Sequence, residues 1–323
     1  MSKTQSYLII ENSIFYENIL LNDPGLEQNG IINVKYGANL EIFNSTFTRN
    51  YLDAPSNPND ETSIIYYGGR KLEFISVLHL KDSLFSENEG MTNSLVSGGF
   101  LTEEIKYSNN FEKENKFTKK KTCSGIRGKI EGQNKWAKCI IQFESISQPS
   151  ASPKPTILSP LSTFLPTPQP KKTCWGNDFT ERVMHQEEKI IDTSIPRTYR
   201  MCAGTVLNIA NYDYDTSEYE GEGVKALSLW NPNVNILCGD DGNSRDCTFS
   251  GGTVQIDIYP ANEVDGNYTT TLENIKIRGI TFIEVNGVNI VIYSPLVKYG
   301  EIGASITIQD CVFRVSQINQ SII

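Results

Sequence analysis

The chain has 323 residues, a formal net charge of −9 and an isoelectric point near 5.0. Ile occurs 36 times and Asn 29 times, but Ala only 9 times. This argues against a helical bundle, because Ala is the best helix former whereas Ile favours strands and Asn favours turns. Apolar residues make up 38% of the chain and charged residues 21%, so a folded core is expected. The acidic balance argues against nucleic acid as the main partner, and no apolar run is long enough to span a membrane.

The first residues of the sequence, 1–7, lack the apolar segment of a signal peptide. The chain enters a strand-like segment at once, and residues 321–323 end it on apolar side chains. We therefore expect the sequence to be part of a longer gene product. For that reason the missing signal is weak evidence for a cytoplasmic location.

A short motif recurs through the chain: Asn or Asp, then Ser or Cys, then any residue, then Phe. Its five copies and one degenerate copy, which ends at Phe282, have their last residues at Phe15, Phe47, Phe85, Phe249, Phe282 and Phe313. In five of the six, apolar residues lie seven and five positions before the Phe. In the first half Asn also follows three positions after it, at Asn18, Asn50 and Asn88.

Self-similarity with a period near 30 residues is typical of stacked repeats, and the alternation of apolar and polar positions indicates strands. Each repeat is expected to form a coil of short strands about 4.8 Å above the previous one. Equivalent residues then stack, with Phe on Phe in the interior and Asn or Asp in rows at the bends. No repeat can bury its apolar face alone, so neighbouring repeats are required.

A proline-rich segment divides the repeats. Residues 147–173 contain seven of the 14 prolines, a density that favours extended polyproline II. We interpret the segment as a semi-rigid linker; an O-glycosylated stalk and a ligand for an aromatic groove are the alternatives. The predicted domains are a first array at 1–146, the linker at 147–173 and a second array at 174–323. A short helix at 186–192 and its flanks, with Thr180 as N-cap, is expected to cap the second array.

The motif copies resemble the right-handed parallel β-helix, or pectate-lyase-like, superfamily. The second half adds the segment 196–205, then Cys238-Gly239-Asp240-Asp241-Gly242, and then Gly251-Gly252. These features are similar to those of secreted β-helix proteins of diatoms. The resemblance covers about 7–144 and 174–323, and it implies an all-β fold of two right-handed parallel β-helix arrays joined by the linker.

The cysteines show no CxxC spacing and are accompanied by only two His, which argues against a zinc site. The candidate disulfides are Cys123–Cys139, Cys174–Cys202 and Cys238–Cys247, with Cys202–Cys238 across adjacent coils as an alternative. Disulfides are typical of an oxidising compartment, so an extracellular or cell-surface location is expected.

The seventh cysteine, Cys311, occupies the Ser position of the motif, as Cys247 does two repeats earlier. Two coils separate these positions by about 10 Å, which is too far for a disulfide. Cys311 is therefore expected to be a buried free thiol.

Three Asn-X-Ser/Thr triplets, at Asn44, Asn267 and Asn319, are acceptors for N-glycosylation. Asn267 lies in a polar segment and is the best candidate. Asn44 belongs to the predicted row of bend residues, which is expected to make it less accessible.

Asp240 and Asp241 are the most suggestive catalytic pair, since polygalacturonase-type β-helices use clustered Asp to protonate a leaving group and activate water. However, the Gly-His-Gly and Arg-Ile-Lys motifs of those enzymes are absent. The pair also lies in a Gly-rich loop, where Asp is a normal turn residue. We therefore assign no catalytic residue. Calcium bound by Asp240, Asp241 and Asp246 is an alternative role, because hard oxygen ligands cluster there; no other cofactor is expected.

The sequence thus predicts a non-catalytic, secreted or cell-surface repeat protein, with a structural or adhesive role or with polysaccharide or cell-surface glycan as its partner. The alternative is a polysaccharide lyase or glycoside hydrolase acting on acidic polysaccharide. Arg245, Arg278 and Arg314 are the available bases for a lyase, but none has an acidic neighbour at outward strand spacing.

Overall fold

The structure is a computed structural model. It describes residues 7–20, 28–35, 39–53, 61–68, 78–92, 94–101, 110–111, 115–117, 123–130, 174–190, 192–209, 226–259, 263–264, 267–268, 272–285, 288–292, 304–314 and 317–318. These ranges consist mainly of β-strands, so the predicted all-β class is confirmed for them.

The strands of the first part of the chain follow one another in groups that correspond to the sequence repeats. They are β1 (Tyr7–Glu11), β2 (Ile14–Tyr16), β3 (Ile19–Leu20), β4 (Gln28–Lys35), β5 (Asn39–Phe43), β6 (Thr46–Thr48), β7 (Tyr51–Leu52), β8 (Glu61–Gly68), β9 (Leu78–Lys81), β10 (Leu84–Ser86), β11 (Glu89–Met91), β12 (Ser94–Leu101), β13 (Asn110–Phe111), β14 (Lys116–Phe117) and β15 (Cys123–Ile130).

The second part begins with a helix and continues with shorter groups of strands. Its elements are α1 (Phe179–Glu187), β16 (Arg197–Met201), β17 (Val206–Asn208), β18 (Leu227–Leu229), β19 (Val234–Cys238), β20 (Cys247–Ser250), β21 (Val254–Ile258), β22 (Glu263–Val264), β23 (Asn267–Tyr268), β24 (Leu272–Arg278), β25 (Ile280–Ile283), β26 (Val288–Ile292), β27 (Ala304–Gln309), β28 (Val312–Arg314) and β29 (Gln317–Ile318).

Equivalent strands of different repeats pair in parallel. The first strands form a seven-stranded sheet in the order β16-β19-β24-β27-β1-β5-β9, and the second strands an eight-stranded sheet in the order β13-β10-β6-β2-β28-β25-β20-β17. The remaining strands form a five-stranded sheet (β14-β11-β7-β3-β29), a four-stranded sheet (β15-β12-β8-β4) and a three-stranded sheet (β18-β21-β26). β22 and β23 pair with each other in antiparallel fashion.

The spatial order of the strands differs from their order in the chain. β27 pairs with β1, β28 with β2 and β29 with β3. The strands of the two predicted arrays therefore share three sheets. The predicted linker, 147–173, lies outside the described residues, and the domain boundaries stay a prediction.

A column of phenylalanine side chains runs through the core. In spatial order it consists of Phe249, Phe282, Phe313, Phe15, Phe47 and Phe85. Neighbouring ring centroids are 4.6 to 5.8 Å apart and the ring planes differ by 7° to 10°. Each ring is at most 1% exposed. The stacking predicted from the motif is confirmed, and it places one large apolar side chain from each of six repeats in a continuous interior.

In four copies of the motif the first residue sits at a bend with left-handed backbone. Asn12, Asn44, Asp82 and Asp310 have φ between 45° and 54°, a conformation that Asn and Asp tolerate better than most residues. In the degenerate copy Gly279 holds this position, with φ 76°. A Cβ there would lie 2.2 Å from the carbonyl oxygen of Ser244, so this repeat requires Gly.

A second, buried row of asparagines follows the Phe column. The Nδ2 groups of Asn18, Asn50 and Asn88 each donate to the Oδ1 of the next member, at 2.9 Å, and the last acceptor is Asn115. Each Nδ2 of the four residues also donates to the backbone carbonyl of a motif Phe at 2.9 to 3.1 Å. These bonds satisfy the buried Nδ2 groups, which would otherwise be costly; at the start of the row, Asn18 Oδ1 is buried without a hydrogen-bond partner.

Helix α1 begins earlier than expected. It spans Phe179–Glu187 with Asp178 as N-cap, so the prediction of Thr180 as N-cap is wrong. The Thr180 side chain is buried within the first turn instead, since Phe179 must enter the core next to Trp175, with 6.2 Å between their ring centroids. The helix packs on β18, at the end of the three-stranded sheet. No helix in the described part of the chain is long and apolar enough to cross a membrane.

Two of the candidate disulfides are formed. Cys174 bonds Cys202, and Cys238 bonds Cys247, so the alternative Cys202–Cys238 pairing is not adopted. Cys311 is free and buried, as predicted, and its burial raises the pKa of the thiol to about 12. Cys139 lies outside the described residues, so the Cys123–Cys139 pair stays a prediction.

Candidate functional site

A groove of about 470 Å³ lies where the eight-stranded and five-stranded sheets meet. Its lining residues, which we call the charged groove, are Arg49, Asn50, Tyr51, Glu87, Glu89 and Lys116. They belong to three successive repeats. Those of the first two lie at or beside the bends that follow β6 and β10, and Lys116 begins β14. The volume is in the range of sites for small ligands, roughly 300 to 1,000 Å³.

The bend that forms one wall of the groove is left-handed in every repeat where it is described. Arg49 and Glu87 occupy this position in the groove, with φ 55° and 52°, and in other repeats it is occupied by Glu17, Glu284 and Gly251, with φ 54°, 55° and 74°. A long charged side chain is uncommon in this conformation and makes it less favourable than Gly would. Because Glu also occupies this bend in repeats outside the groove, the left-handed backbone is a regular feature of the repeat and does not by itself mark the groove.

Ion pairs cross the groove from one repeat to the next. Arg49 Nε donates to Glu87 Oε2 at 2.7 Å, and Lys116 Nζ pairs with Glu89. The four side chains are between 44% and 71% exposed. Exposed pairs of this kind contribute only about 0 to 1 kcal/mol to stability, so stability does not explain their presence.

An aromatic side chain extends the groove toward the neighbouring repeat. Arg49 Nη1 donates to the hydroxyl of Tyr16 at 3.0 Å. The hydrogen bonds to Glu87 and Tyr16 raise the pKa of Arg49, so its guanidinium group stays charged. Arg314 lies over the same Tyr16 ring, 5.6 Å from its centroid, within the range of cation–π contacts.

Tyr51 offers a second ring at the groove, and its side chain is 46% exposed. In the parallel register it lies beside Ile19 on one side and Glu89 on the other, and Glu89 in turn lies beside Lys116. The surface therefore presents an aromatic ring next to negatively and positively charged groups that can form hydrogen bonds. Such a surface can stack on an apolar ring face and exchange hydrogen bonds with hydroxyl and carboxylate groups.

The groove is poorly arranged for glycoside hydrolysis. A general acid must be a carboxyl that holds its proton, usually because it is buried away from cations. Both groove carboxylates, Glu87 and Glu89, instead contact a cation and are about half exposed.

The predicted calcium residues lie elsewhere, in the loop closed by the Cys238–Cys247 disulfide. Asp240, Asp241 and Asp246 are exposed. Asp241 Oδ1 accepts a hydrogen bond from the backbone N–H of Asn243 at 2.9 Å, and this bond lowers the pKa of Asp241. This is the geometry of an Asx turn, which agrees with the turn interpretation of the sequence.

The grouping of possible metal ligands does not favour calcium at this loop. Within the described residues, one group of metal-ligand atoms lies within 4.8 Å, and it consists of Cys238, Asp246 and Cys247. Its two sulfurs are bonded to each other, so they are not free to coordinate. The calcium site therefore stays a prediction.

Two of the three candidate lyase bases, Arg245 and Arg278, are already engaged in ion pairs. Arg245 and Arg278 both donate to the carboxylate of Asp310, at 2.9 and 2.8 Å, and the Asp310 side chain is only 4% exposed. Outward strand spacing does not reveal this acidic partner, because Asp310 lies at a bend. These ion pairs attach the Cys238–Cys247 loop to adjacent repeats, so neither Arg is free to act as a base.

The two glycosylation candidates differ in setting. The Asn44 Nδ2 donates to Asn12 Oδ1 at 2.7 Å, so the amide takes part in the bend row as expected. Asn267 begins β23 in the short β22–β23 hairpin. Modification of either residue stays a prediction.

A buried charge network that sequence reasoning missed supports the helix. Glu187 accepts hydrogen bonds from Arg197 at 2.8 Å and Asn231 at 3.0 Å, and also from the hydroxyl of Tyr199. Its side chain is fully buried. The available signal was its position, since an acidic residue in the last turn of a helix opposes the helix dipole and needs a cationic partner.

Comparison with known proteins adds no relative. No family model, no curated protein and no solved structure matches the chain. The resemblance to the pectate-lyase-like superfamily and to secreted diatom proteins therefore stays a prediction.

Proposed function

We propose that the chain is a right-handed parallel β-helix repeat protein, secreted or held at a cell surface, that binds polysaccharide or cell-surface glycan at the charged groove without cleaving it. One observation carries the proposal. Two exposed ion pairs, Arg49–Glu87 and Lys116–Glu89, lie beside the half-exposed Tyr51 ring in one groove, where stability does not require them.

The strand arrangement supports a β-helix. Each of the first three repeats contributes one strand to four different sheets, always in the same order, and equivalent strands pair in parallel and largely in register. The Phe column and the buried Asn row repeat with the same period. The right hand of the coil is taken from the resemblance of the motif copies.

The chemistry of the groove suits an extended glycan. Tyr51 presents a ring that can stack on the apolar face of a sugar, while Arg49 and Lys116 can bind hydroxyl or carboxylate oxygens. Glu87 and Glu89 can accept hydrogen bonds from hydroxyl groups. Because these residues come from successive repeats about 4.8 Å apart, a chain lying along the stack would contact several repeats at once.

Two further observations support the proposed extracellular or cell-surface location and the non-catalytic role. The Cys174–Cys202 and Cys238–Cys247 disulfides are typical of an oxidising compartment. Ion pairs already occupy the candidate acids and bases, which favours binding over catalysis. These residues are Glu87, Glu89, Arg245 and Arg278.

Binding of the full chain to a panel of neutral and acidic polysaccharides tests the proposal, measured by affinity electrophoresis. We predict that Tyr51→Ala weakens binding at least about tenfold, since loss of a stacking aromatic costs on the order of 1.4 kcal/mol or more. Tyr259→Ala is the matched control, because Tyr259 is 37% exposed but follows β21 of another sheet.

Unchanged binding by the Tyr51 variant would place the ligand elsewhere and overturn the assignment of the groove. The same incubations report on the enzymatic alternative. Release of reducing or unsaturated ends from any polysaccharide would contradict the non-catalytic part of the proposal.

A further inference from the structure

The two halves of the chain meet at a seam that no peptide bond crosses. The repeat at 304–318 lies beside the repeat at 7–20, and three strand pairs join them: β27 with β1, β28 with β2, and β29 with β3. Along the chain, these two repeats are connected only through the rest of the molecule, including residues 131–173. The seam is therefore a noncovalent interface between two parts of the chain.

The contacts at the seam match those between consecutive repeats. The centroid of the Phe15 ring is 4.6 Å from that of Phe313 across the seam and 4.6 Å from that of Phe47 in the next repeat, with 7° between planes in both cases. β1 forms five register pairs with β27 and five with β5. The seam has the same packing as a continuous part of the stack.

Backbone hydrogen bonds and polar side chains continue across the seam as well. Ile14 N–H donates to Cys311 O at 2.9 Å, just as Thr46 N–H donates to Ser13 O at 2.9 Å within the first half. Asn18 Nδ2 donates to Phe313 O at 3.1 Å. If the seam were open, the donors and acceptors of these bonds would be unpaired and would lie at exposed sheet edges.

The connecting segment permits the seam to form within one chain but does not require it. The eight-stranded sheet places its outermost strands about 34 Å apart, and 43 residues, 131–173, have a maximum extended length of about 150 Å. For a connection of this length the effective concentration is at most on the order of 1 mM. When the concentration of other copies exceeds this value, or once the connection is cut, a second copy competes equally for the seam.

We propose that the seam is an interaction surface for a second copy of this chain. The repeat at 304–318 of one copy stacks on the repeat at 7–20 of another, with the register seen within the chain. Since each copy carries both faces, exchange joins copies head to tail or as reciprocal dimers. The proposal is independent of the charged groove and of its ligand.

Disulfide trapping between two variants tests this inference. One full chain carries Ile9→Cys and the other Thr307→Cys, at half-buried positions that face each other across the seam. A protease site is placed within 147–170 of both chains, and the mixed chains are refolded together at about 10 µM and then oxidised. Before cleavage the connection favours the internal seam, so about 1% of the chains should form the mixed disulfide. Cleavage before refolding should raise this yield at least tenfold.

The control pairs Ile9→Cys with Glu41→Cys, positions that face each other within the first half, so the mixed disulfide should stay at background. A cleaved chain without cysteine substitutions should elute as one particle of unchanged size. Separation of the cleaved chain into two species would overturn the proposal. So would a 9–307 disulfide yield no higher than the 9–41 control after cleavage.

Discussion

At the scale of single residues, Asp257 is the buried acid with the least support. It is 3% exposed, its Oδ1 has no hydrogen-bond partner, and burial raises its pKa to about 6. Because the folded chain then binds this proton more tightly than the unfolded chain, the free energy of unfolding falls as pH rises from about 4 to about 6. We expect Asp257→Asn to lack this fall and to be more stable at pH 7 by up to about 3 kcal/mol.

Urea denaturation of both chains at pH 3.5 and pH 7 measures this difference. Asp241→Asn is the contrasting variant, because a hydrogen bond from Asn243 lowers the pKa of that exposed Asp, and its effect should have the opposite sign. Equal stability of wild type and Asp257→Asn at both pH values would show that Asp257 carries no penalty.

Glu187 is the opposite case, a buried acid whose partners are complete. Glu187→Gln removes the charge that Arg197 faces in a site where both side chains are at most 10% exposed. Breaking a buried pair from one side costs about 3 to 5 kcal/mol. The neighbouring Glu188 is exposed, and Glu188→Gln should change the unfolding free energy by less than about 0.5 kcal/mol. Thermal unfolding that fails to separate the two variants would contradict this account of the network.

At the scale of secondary-structure elements, the buried Asn row holds the bends of neighbouring repeats together. Asn50→Ala would remove the side-chain donor to Phe15 O and the acceptor of the Asn18 backbone N–H. Asn18 Nδ2 and Asn88 Oδ1 would each lose one of two hydrogen bonds. Each unsatisfied buried group costs about 1 to 3 kcal/mol, so a loss of at least about 2 kcal/mol is expected. Asn44→Ala, in the exposed bend row, should cost less than about 1 kcal/mol; chemical denaturation of the two variants compares them.

The repeat elements were the predictable part of the fold, because residues at one position of a periodic sequence occupy one position of the stack. The spacing predicted the Phe column and three of the four buried asparagines. It missed Asn115, which lies four positions after Phe111 rather than three. The spacing also did not predict the ion pairs to Asp310. Arg245 and Arg278 lie 65 and 32 residues away from it, and no local pattern links them.

At the scale of the whole molecule, the order of the repeats could not be predicted from the sequence. Each repeat presents similar sheet edges and a similar Phe, so the 304–318 repeat fits beside the 7–20 repeat as well as a sequence neighbour would. The same equivalence underlies the proposed exchange between copies. The charged groove was also not predicted, because Arg49, Glu87 and Lys116 come together only when three repeats are stacked.

Hydrogen–deuterium exchange of the full chain, with and without the polysaccharide that binds it most tightly, tests the central claim of a glycan-binding groove most directly. We predict slower exchange in the ligand-bound state at 49–51, 87–89 and 115–117, with the disulfide loop at 239–246 unchanged. Protection confined to that loop, or no protection at the groove while the polysaccharide is being cleaved, would contradict it.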